Sequence, residues 1–284
     1  MEQPSLEGVI DLHVHAAPDV RPRCVTDLAL AWEAAGRGMR GFLLKSHYGE
    51  TAGRAAIVRE AVPGIEAFGS LVLNDSVGGL NPTAVDYALT IGAKEVWLPT
   101  ISADHHHLYH GSAAPGIRVT DETGAVLPEV RDILRLIADA DAILGTGHVS
   151  LEEIAAVVPA ALDAGVRKIL VTHPEWPPTR LTIEQQRALL ASGKVFFERC
   201  YVSAKPPPGH VPFQTIVEAI EALGTSSTVV STDFGRADLP HPVQGMAEYL
   251  QQLARHGFSE DDIDIMARRN PAYLLGLDEP PEAA

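Results

Sequence analysis

Two histidines separated by one residue end the first apolar run of the chain, in the segment GVIDLHVH at positions 8–15. Side chains two apart in a strand point to the same face, so the imidazoles of His13 and His15 can reach one ion. Asp11 falls on the same face one step earlier, and we expect it beside the ligands rather than among them. An HxH pair in a loop carries little meaning, but this pair ends a strand. We therefore predict a metal site here.

Further polar side chains follow later apolar runs, and they are Lys45, His47, His148, His173, Glu198, Arg199 and Asp233. Three neutral imidazoles and one carboxylate suit a borderline divalent cation, Zn first, with Mn, Fe or Co as alternatives. His13, His15, His148 and Asp233 could supply that set and leave a position for a water that the ion activates. Asp233 could accept the proton of this water, and His173 could polarise a substrate oxygen or protonate a leaving group.

The elements that must position these residues alternate eight times between strand and helix. Helical patterns are predicted near 26–35, 51–61, 82–91, 127–140, 150–164, 182–191, 212–223 and 242–255, each after a β-rich run, with closing helices within 259–277. This order predicts an α/β fold, one (β/α)8 TIM barrel over residues 1–284 with a frayed tail at 278–284. An open doubly wound sheet is the alternative, but no GxGxxG follows a strand. In a barrel the carboxyl ends of the strands meet at one mouth, which would gather the polar residues.

The ordered combination of these motifs resembles the amidohydrolase superfamily. It comprises HVH at the end of strand one, single histidines at the ends of strands five and six, aspartate at the end of strand eight and a closing NPAYLLGL. The resemblance implies a distorted barrel with one or two divalent metals, usually hydrolysing amide, ester, lactone or phosphoester bonds. By position it implies that His13, His15, His148 and Asp233 are metal ligands, and that His173 is catalytic or binds a second metal.

Two departures from that family pattern bear on the number of metal ions and on the reaction that we expect. Members with two metals commonly carry a carboxylated lysine or a glutamate on strand four, where this chain has WLPT. Deaminase members carry a glutamate three residues after the histidine of strand five, where this chain has Leu151. The arrangement with one ion, shared with the decarboxylase and hydratase branch, fits best, and two ions stay open.

Several basic residues near the expected mouth suit a small anionic substrate. Lys45 could hold a substrate carboxylate or phosphate and act in catalysis, or be carboxylated and bind metal; an ion pair at the rim is the structural alternative. His47 shares its face, and Arg21 and Arg23 lie in the loop after strand one, where arginine suits carboxylate or phosphate. Glu198 alternates with Arg199, so only one faces inward. We assign Arg21, Arg23, His47 and Glu198 to substrate binding.

A histidine-rich segment, DHHHLYH at 104–110, lies in the long connection after strand four. Long loops in compact domains are often lids or binding loops. His105 or His107 could bind a second ion or the substrate, and a solvated polar loop is the alternative.

Composition restricts the class of protein. The 284 residues are 46% hydrophobic and 21% charged, with a formal charge of −15, which argues against nucleic acid or a membrane surface as a partner. Two cysteines, no signal-like N-terminus and no long apolar run predict a cytoplasmic protein. The expected partner is a small molecule, and homo-oligomerisation stays open.

Three functions are compatible with these residues. The first is a metal-dependent hydrolase in which activated water attacks an amide, ester, lactone or phosphoester. The second is a metal-dependent lyase, a decarboxylase or hydratase acting on a small carboxylated substrate. The third is a barrel that holds metal without catalysis.

Overall fold

Eight parallel strands form a barrel in a computed structural model that describes residues 5–191, 193–205 and 211–278. Neighbours in sequence are neighbours in the sheet, from β1 to β8. The strands are β1 (Ile10–Val14), β2 (Gly41–Leu44), β3 (Glu66–Val72), β4 (Ala93–Trp97), β5 (Ile143–Gly145), β6 (Ile169–Thr172), β7 (Val195–Cys200) and β8 (Thr228–Ser231). The (β/α)8 barrel predicted from the sequence is confirmed. The predicted tail falls mostly on residues 279–284, outside the described residues.

Helices cover the outside of the barrel and close the end at which the strands begin. They are α1 (Asp27–Gly36), α2 (Ala52–Ala61), α3 (Pro82–Thr90), α4 (Asp104–Tyr109), α5 (Pro128–Asp139), α6 (Leu151–Asp163), α7 (Ile183–Leu190), α8 (Phe213–Leu223), α9 (Pro242–Arg255), α10 (Glu260–Asp264) and α11 (Asn270–Leu275). One π-helical turn, Ile265–Arg269, joins α10 to α11. Among the described helices, none has the length and apolar character needed to cross a membrane.

Local capping explains where several helices begin. The Thr26 hydroxyl accepts from the Ala29 N–H at the start of α1, and the Asn81 side chain accepts from the first turn of α3. Ser150 and Glu153 form a reciprocal capping box on α6. Each of these side chains satisfies a backbone donor that the helix leaves unpaired. These caps set the first turns of α1, α3 and α6.

The apolar interior separates into layers. Residues between strands and helices form two large clusters, and a third lies inside the barrel, where Ile10, Leu43 and Leu170 pack with Leu274 and Leu275 of α11. The Asn270 side chain donates to the backbone oxygens of Thr225 (3.0 Å) and Thr228 (2.7 Å), which anchors α11 beside β8. The amino end of the barrel is therefore closed by α11, and the polar residues are left at the carboxyl end.

An irregularity in β1 decides which of its side chains face inward. Asp11 pairs with Phe42 and Val14 with Leu44, so two residues of β1 oppose the single residue Leu43 of β2. A bulge of this kind shifts the alternation by one residue. Asp11 consequently lies on the face opposite to His13, and the predicted shared face is wrong. Its carboxylate accepts from the N–H and hydroxyl of Thr232 (3.0 and 2.5 Å), which ties β1 to β8.

Candidate functional site

Three side chains converge where β1 and β8 meet. The Nε2 atoms of His13 and His15 lie 3.0 and 3.1 Å from the same oxygen of Asp233, Oδ1. Asp233 has a positive φ of 52°, and its N–H donates to the His13 carbonyl oxygen (2.8 Å). Gly235 allows this closure, because a Cβ there would lie 1.8 Å from the backbone oxygen of His15. The structure therefore brings His13, His15 and Asp233 together, as predicted.

A second group is formed by the histidines that follow β5 and β6. The Nε2 atoms of His148 and His173 are 3.2 Å apart, and both side chains are buried. His173 has a positive φ of 31°, a conformation that non-glycine residues adopt at a cost and that concentrates at functional sites. Its ring lies 6.4 Å from that of His13, centroid to centroid, so the two groups share one mouth.

The outer nitrogens of two rings, those of His13 and His173, show that these histidines fit a divalent cation. Nδ1 of His13 faces Oε2 of Glu198 (3.1 Å). Nδ1 of His173 faces the Thr179 hydroxyl (3.0 Å), whose hydrogen is directed to the His173 carbonyl oxygen. Such acceptors keep the hydrogen on Nδ1 and leave the Nε2 lone pair for a metal. A tetrahedral ion with bonds of about 2.0–2.1 Å holds its ligand atoms roughly 3.3 Å apart, close to the observed Nε2 separation of 3.2 Å.

His15 has the opposite polarity at its outer nitrogen. Its Nδ1 faces Nη2 of Arg23 (3.2 Å), and that guanidinium is also bound to Asp19 (2.8 Å). Arginine only donates, so Nδ1 of His15 accepts and the hydrogen sits on Nε2, pointing at Asp233. His15 must lose this hydrogen, and Arg23 must release Nδ1, before Nε2 can bind a cation. Arg23, assigned to substrate binding from the sequence, is thus engaged by Asp19 and His15.

Burial keeps most of these imidazoles neutral. It lowers the pKa of His15 to about 4 and that of His173 to about 3, and it lowers the pKa of His148 well below the ordinary value. Burial also lowers the pKa of His13, but the carboxylates of Asp233 and Glu198 outweigh it and leave this pKa raised. Neutral imidazoles are the form that binds metal.

The barrel interior beneath the two groups is polar. Lys45 is buried with Nζ 2.9 Å from Nε2 of His13 and 4.7 Å from the centre of the Trp97 ring, and burial lowers its pKa. Glu95 is buried, and neither of its carboxylate oxygens has a partner among the described residues. Burial, reinforced by Glu198, raises the pKa of Glu95 well above the ordinary value, which favours the neutral form of this carboxyl. Sequence reasoning missed Glu95, although it alternates with Trp97 on the inward face of β4.

Glu198 and Cys200 share the inward face of β7. Glu198 is fully buried behind His13 and is absent from the cavity wall, so the predicted contact with substrate is replaced by a contact with the His13 ring. Cys200 Sγ lies 3.7 Å from Nδ1 of His13, and His13, Cys200 and Asp233 can each offer a ligand atom within 4.8 Å of the others. Arg199 faces outward and pairs with Glu175. The alternation predicted one inward residue of the Glu198–Arg199 pair, and it is Glu198.

A cavity of about 390 Å³ opens above these residues. Its wall includes three arginines, Arg21, Arg23 and Arg236. Arg236 is paired with Asp238, whereas Arg21 donates through Nε to the Tyr48 hydroxyl (3.0 Å) and forms no ion pair with any described residue. His47 also lines the cavity, as expected for a residue near the substrate, with Nδ1 2.9 Å from the Thr100 hydroxyl.

The long connection after β4 contains a short helix, α4, that lies over the cavity. It directs His106 to the site, where Nδ1 is 2.9 Å from Nδ1 of His148. His105 instead contacts the backbone oxygen of Pro178, and His107 contacts that of Ala114. The prediction that His105 or His107 would reach the site is therefore wrong. Helical geometry within 104–109, in a connection where the sequence predicts a loop, directs His106 rather than His105 or His107 to the site.

The family of the chain follows from a sequence comparison. One family model matches residues 8–198, more than half of the chain, and it is described as a family of unknown function, DUF6282. This chain is a member of the DUF6282 family. No curated protein matches it in sequence.

Solved structures share the barrel of this DUF6282 protein at low sequence identity. A phosphotriesterase homology protein from Escherichia coli, complexed with phosphate in its active site, is 16% identical with a TM-score of 0.64, covering 97% of this chain and 100% of the other. An organophosphorus hydrolase from Deinococcus radiodurans is 16% identical, with a TM-score of 0.63 and coverage of 94% and 92%. A 2,6-dihydroxybenzoate decarboxylase from Rhizobium is 14% identical, with a TM-score of 0.56 and coverage of 96% and 99%. These similarities confirm the barrel fold that the resemblance implies.

Proposed function

We propose that this DUF6282 protein is a metal-dependent hydrolase that uses activated water on an amide, ester, lactone or phosphoester of a small anionic substrate. The observation that carries the proposal is that His13 and His15 both contact Asp233 through Nε2, beside a second pair in which the Nε2 atoms of His148 and His173 meet. His15, His148, His173 and Asp233 line one cavity. Hydrolases are among the proteins that share its barrel. Zinc suits the donor set best, with Mn, Fe or Co as alternatives.

A divalent cation at this site would supply Lewis acidity, polarising a substrate oxygen and lowering the pKa of water. The residues supply the rest of the chemistry. The imidazoles of His13 and His15 lower the pKa of Asp233 well below its ordinary value in spite of burial, so the carboxylate is ionised and can accept a proton at the cavity floor. Lys45 lines the same floor, where its amine can donate to a developing negative charge on the substrate.

In this proposal Arg21 is the main residue that binds the anionic group of the substrate. Its Nε is bound to Tyr48, which holds the guanidinium at the cavity wall and leaves its other donors for a ligand. A planar fork of donors suits a carboxylate or phosphate group. The formal charge of the chain is −15, so attraction of an anion depends on this local basic wall rather than on the net charge.

The test is a substrate screen on the purified full-length protein loaded with Zn or Mn. Lactones, cyclic amides, esters and phosphoesters are compared with and without a carboxylate or phosphate on the remote side. Asp233→Asn should abolish turnover, and Asp132→Asn, an exposed aspartate on α5, should behave as wild type. Inactivity toward every class at full metal occupancy would refute the hydrolase.

A lyase acting on a small carboxylated substrate is the second candidate. It is favoured by the basic cavity wall, where arginines could hold a substrate carboxylate. Release of CO₂, or product without oxygen from labelled water, would distinguish this reaction from hydrolysis. Incorporation of one water oxygen per turnover would eliminate a decarboxylase.

A further inference from the structure

We infer that His106, on the helix that covers the cavity, is a positioning residue for the metal centre: it holds the ring of His148 so that Nε2 is presented to a cation. This inference rests on the proposed function for the presence of the ion, and it assigns a role to the histidine-rich segment that neither the family nor the sequence motifs specify. It holds for one ion or for two, because His148 is a candidate ligand in both arrangements.

The nitrogen atoms of His148 define the argument. Nε2 faces the cation position, 3.2 Å from Nε2 of His173, and Nδ1 faces Nδ1 of His106 at 2.9 Å. When a metal takes the lone pair of Nε2, the hydrogen of the neutral ring must be on Nδ1. That hydrogen needs an acceptor, because a buried N–H without one is costly. His106 is the acceptor that the structure provides.

The same arrangement occurs at two other candidate ligands, His13 and His173, whereas Nδ1 of His15 faces Arg23. Glu198 accepts from Nδ1 of His13, and the Thr179 hydroxyl accepts from Nδ1 of His173. These two acceptors belong to β7 and to the segment after β6. His106 differs, because it belongs to the connection between β4 and α5, so one ligand depends on a helix that lies outside the barrel strands.

Several contacts of α4 hold His106 in place. The His106 ring stacks on that of His148, with centroids 4.9 Å apart and planes at 30°, and lies 6.2 Å from the Trp176 ring. The neighbouring His105 donates to the backbone oxygen of Pro178 (2.5 Å), in the same short segment as Thr179. The two short segments that carry the acceptors for His148 and His173 are therefore in contact, so the position of α4 bears on both rings.

The experiment measures metal binding and the electronic environment of the metal in full-length protein. Wild type, His106→Ala, His106→Gln and His107→Ala are equilibrated with chelator-buffered Zn²⁺, and bound metal is determined by elemental analysis. The visible spectrum of the Co²⁺-loaded proteins is recorded in parallel. His107→Ala is the matched control, because this partly buried histidine is on the same helix but is not part of the cavity wall, and its Nδ1 contacts the Ala114 backbone oxygen. Glutamine can restore the acceptor at position 106.

We expect His106→Ala to weaken Zn²⁺ binding by about 10- to 100-fold and to shift the Co²⁺ bands, in line with loss of an outer partner of a ligating histidine. His106→Gln should recover part of the affinity, and His107→Ala should match wild type. Equal affinity and equal spectra for His106→Ala and wild type would overturn the inference alone. Absence of Zn²⁺ binding by wild type would instead refute the metal centre and the inference with it. An equal loss in His107→Ala would show a general effect of α4 and would also overturn the role of His106.

Discussion

The contact between Glu198 and His13 allows a quantitative prediction for the metal centre. Oε2 of Glu198 lies 3.1 Å from Nδ1 of His13, and neither side chain is exposed to solvent. Glu198→Gln keeps the shape of the side chain but removes its charge. Loss of such a partner weakens metal binding by about 10- to 100-fold, or about 1.4–2.7 kcal/mol. The net value of a hydrogen bond to a charged group is about 1.5–3 kcal/mol, which gives the same range.

The prediction has a second, independent readout in the metal-free protein. Glu198 is one of the carboxylates that raise the pKa of His13 against the effect of burial. Glu198→Gln should therefore lower this pKa, as measured by NMR titration of the imidazole. The other carboxylate, that of Asp233, stays in place, so the pKa should fall without the ring losing its inner contact.

Metal affinity is measured by competition with a chelator. Glu66→Gln serves as the control, because Glu66 begins β3, is partly exposed, and pairs with Arg40 at the opposite end of the barrel. Glutamine can still accept through its carbonyl oxygen, so Glu198→Ala, checked for folding by its melting curve, should weaken binding further. Wild-type affinity in both Glu198 variants, with an unchanged pKa of His13, would refute the role of Glu198 in orienting the ring.

Three further predictions concern the substrate, the fold and pH. Arg21→Gln should raise KM for an anionic substrate by about 10- to 100-fold with little change in kcat, as expected for lost uniform binding; a fall in kcat alone, measured by steady-state kinetics, would contradict this. Glu175→Gln should lower the free energy of unfolding in urea by about 3 kcal/mol, because it leaves the buried guanidinium of Arg199 uncompensated; a loss well below about 1 kcal/mol would contradict it. In metal-free protein, the folded-state pKa of His15 is about 4 against 6.5 for an ordinary histidine. The unfolded chain then binds more protons between these values, so stability falls as pH drops from 6.5 toward 4, by about 3 kcal/mol. His13 has a raised pKa, so its contribution to stability is lost only as the pH rises above 6.5. It therefore does not offset the slope between pH 4 and 6.5. Asp11, whose pKa burial raises to about 7, opposes this slope, and His173, whose pKa burial lowers to about 3, adds to it. The contribution of His15 is therefore the difference in slope between wild type and His15→Gln, and equal slopes from pH 4 to 6.5 would refute the assignment.

The elements of the barrel could be predicted because they depend on local pattern. The helix predicted at 242–255 matches α9, and the one predicted at 212–223 differs from α8 by one residue. The convergence of His148 and Asp233 with the HxH pair followed from topology alone, since every parallel strand of a barrel delivers its last residues to one mouth. These predictions needed only the period of the apolar residues and the order of the strands.

The predictions that were wrong depend on local geometry that the spacing of apolar residues does not encode. The bulge in β1 reverses the face of Asp11, and nothing in GVIDLHVH indicates that two residues will oppose Leu43. The choice of His106 over its neighbours depends on a short helix with no buried residue, whose position over the cavity is not encoded in any apolar period. Glu95 could have been found, because its alternation with Trp97 places it inside the barrel, but a buried carboxylate without a partner contradicts the usual pattern.

The distribution of unfavourable features also argues for function at the carboxyl end of the barrel. Among the described non-glycine residues, positive φ occurs at Asp141, His173 and Asp233, and the last two are candidate ligands. Each such residue costs of order 1–3 kcal/mol, and the unpartnered oxygens of Glu95 lie in the polar layer just below them. The opposite end has apolar packing against α11 instead. Strain and buried polarity at one end, with a conventional core at the other, are expected when the mouth is shaped by chemistry rather than by stability.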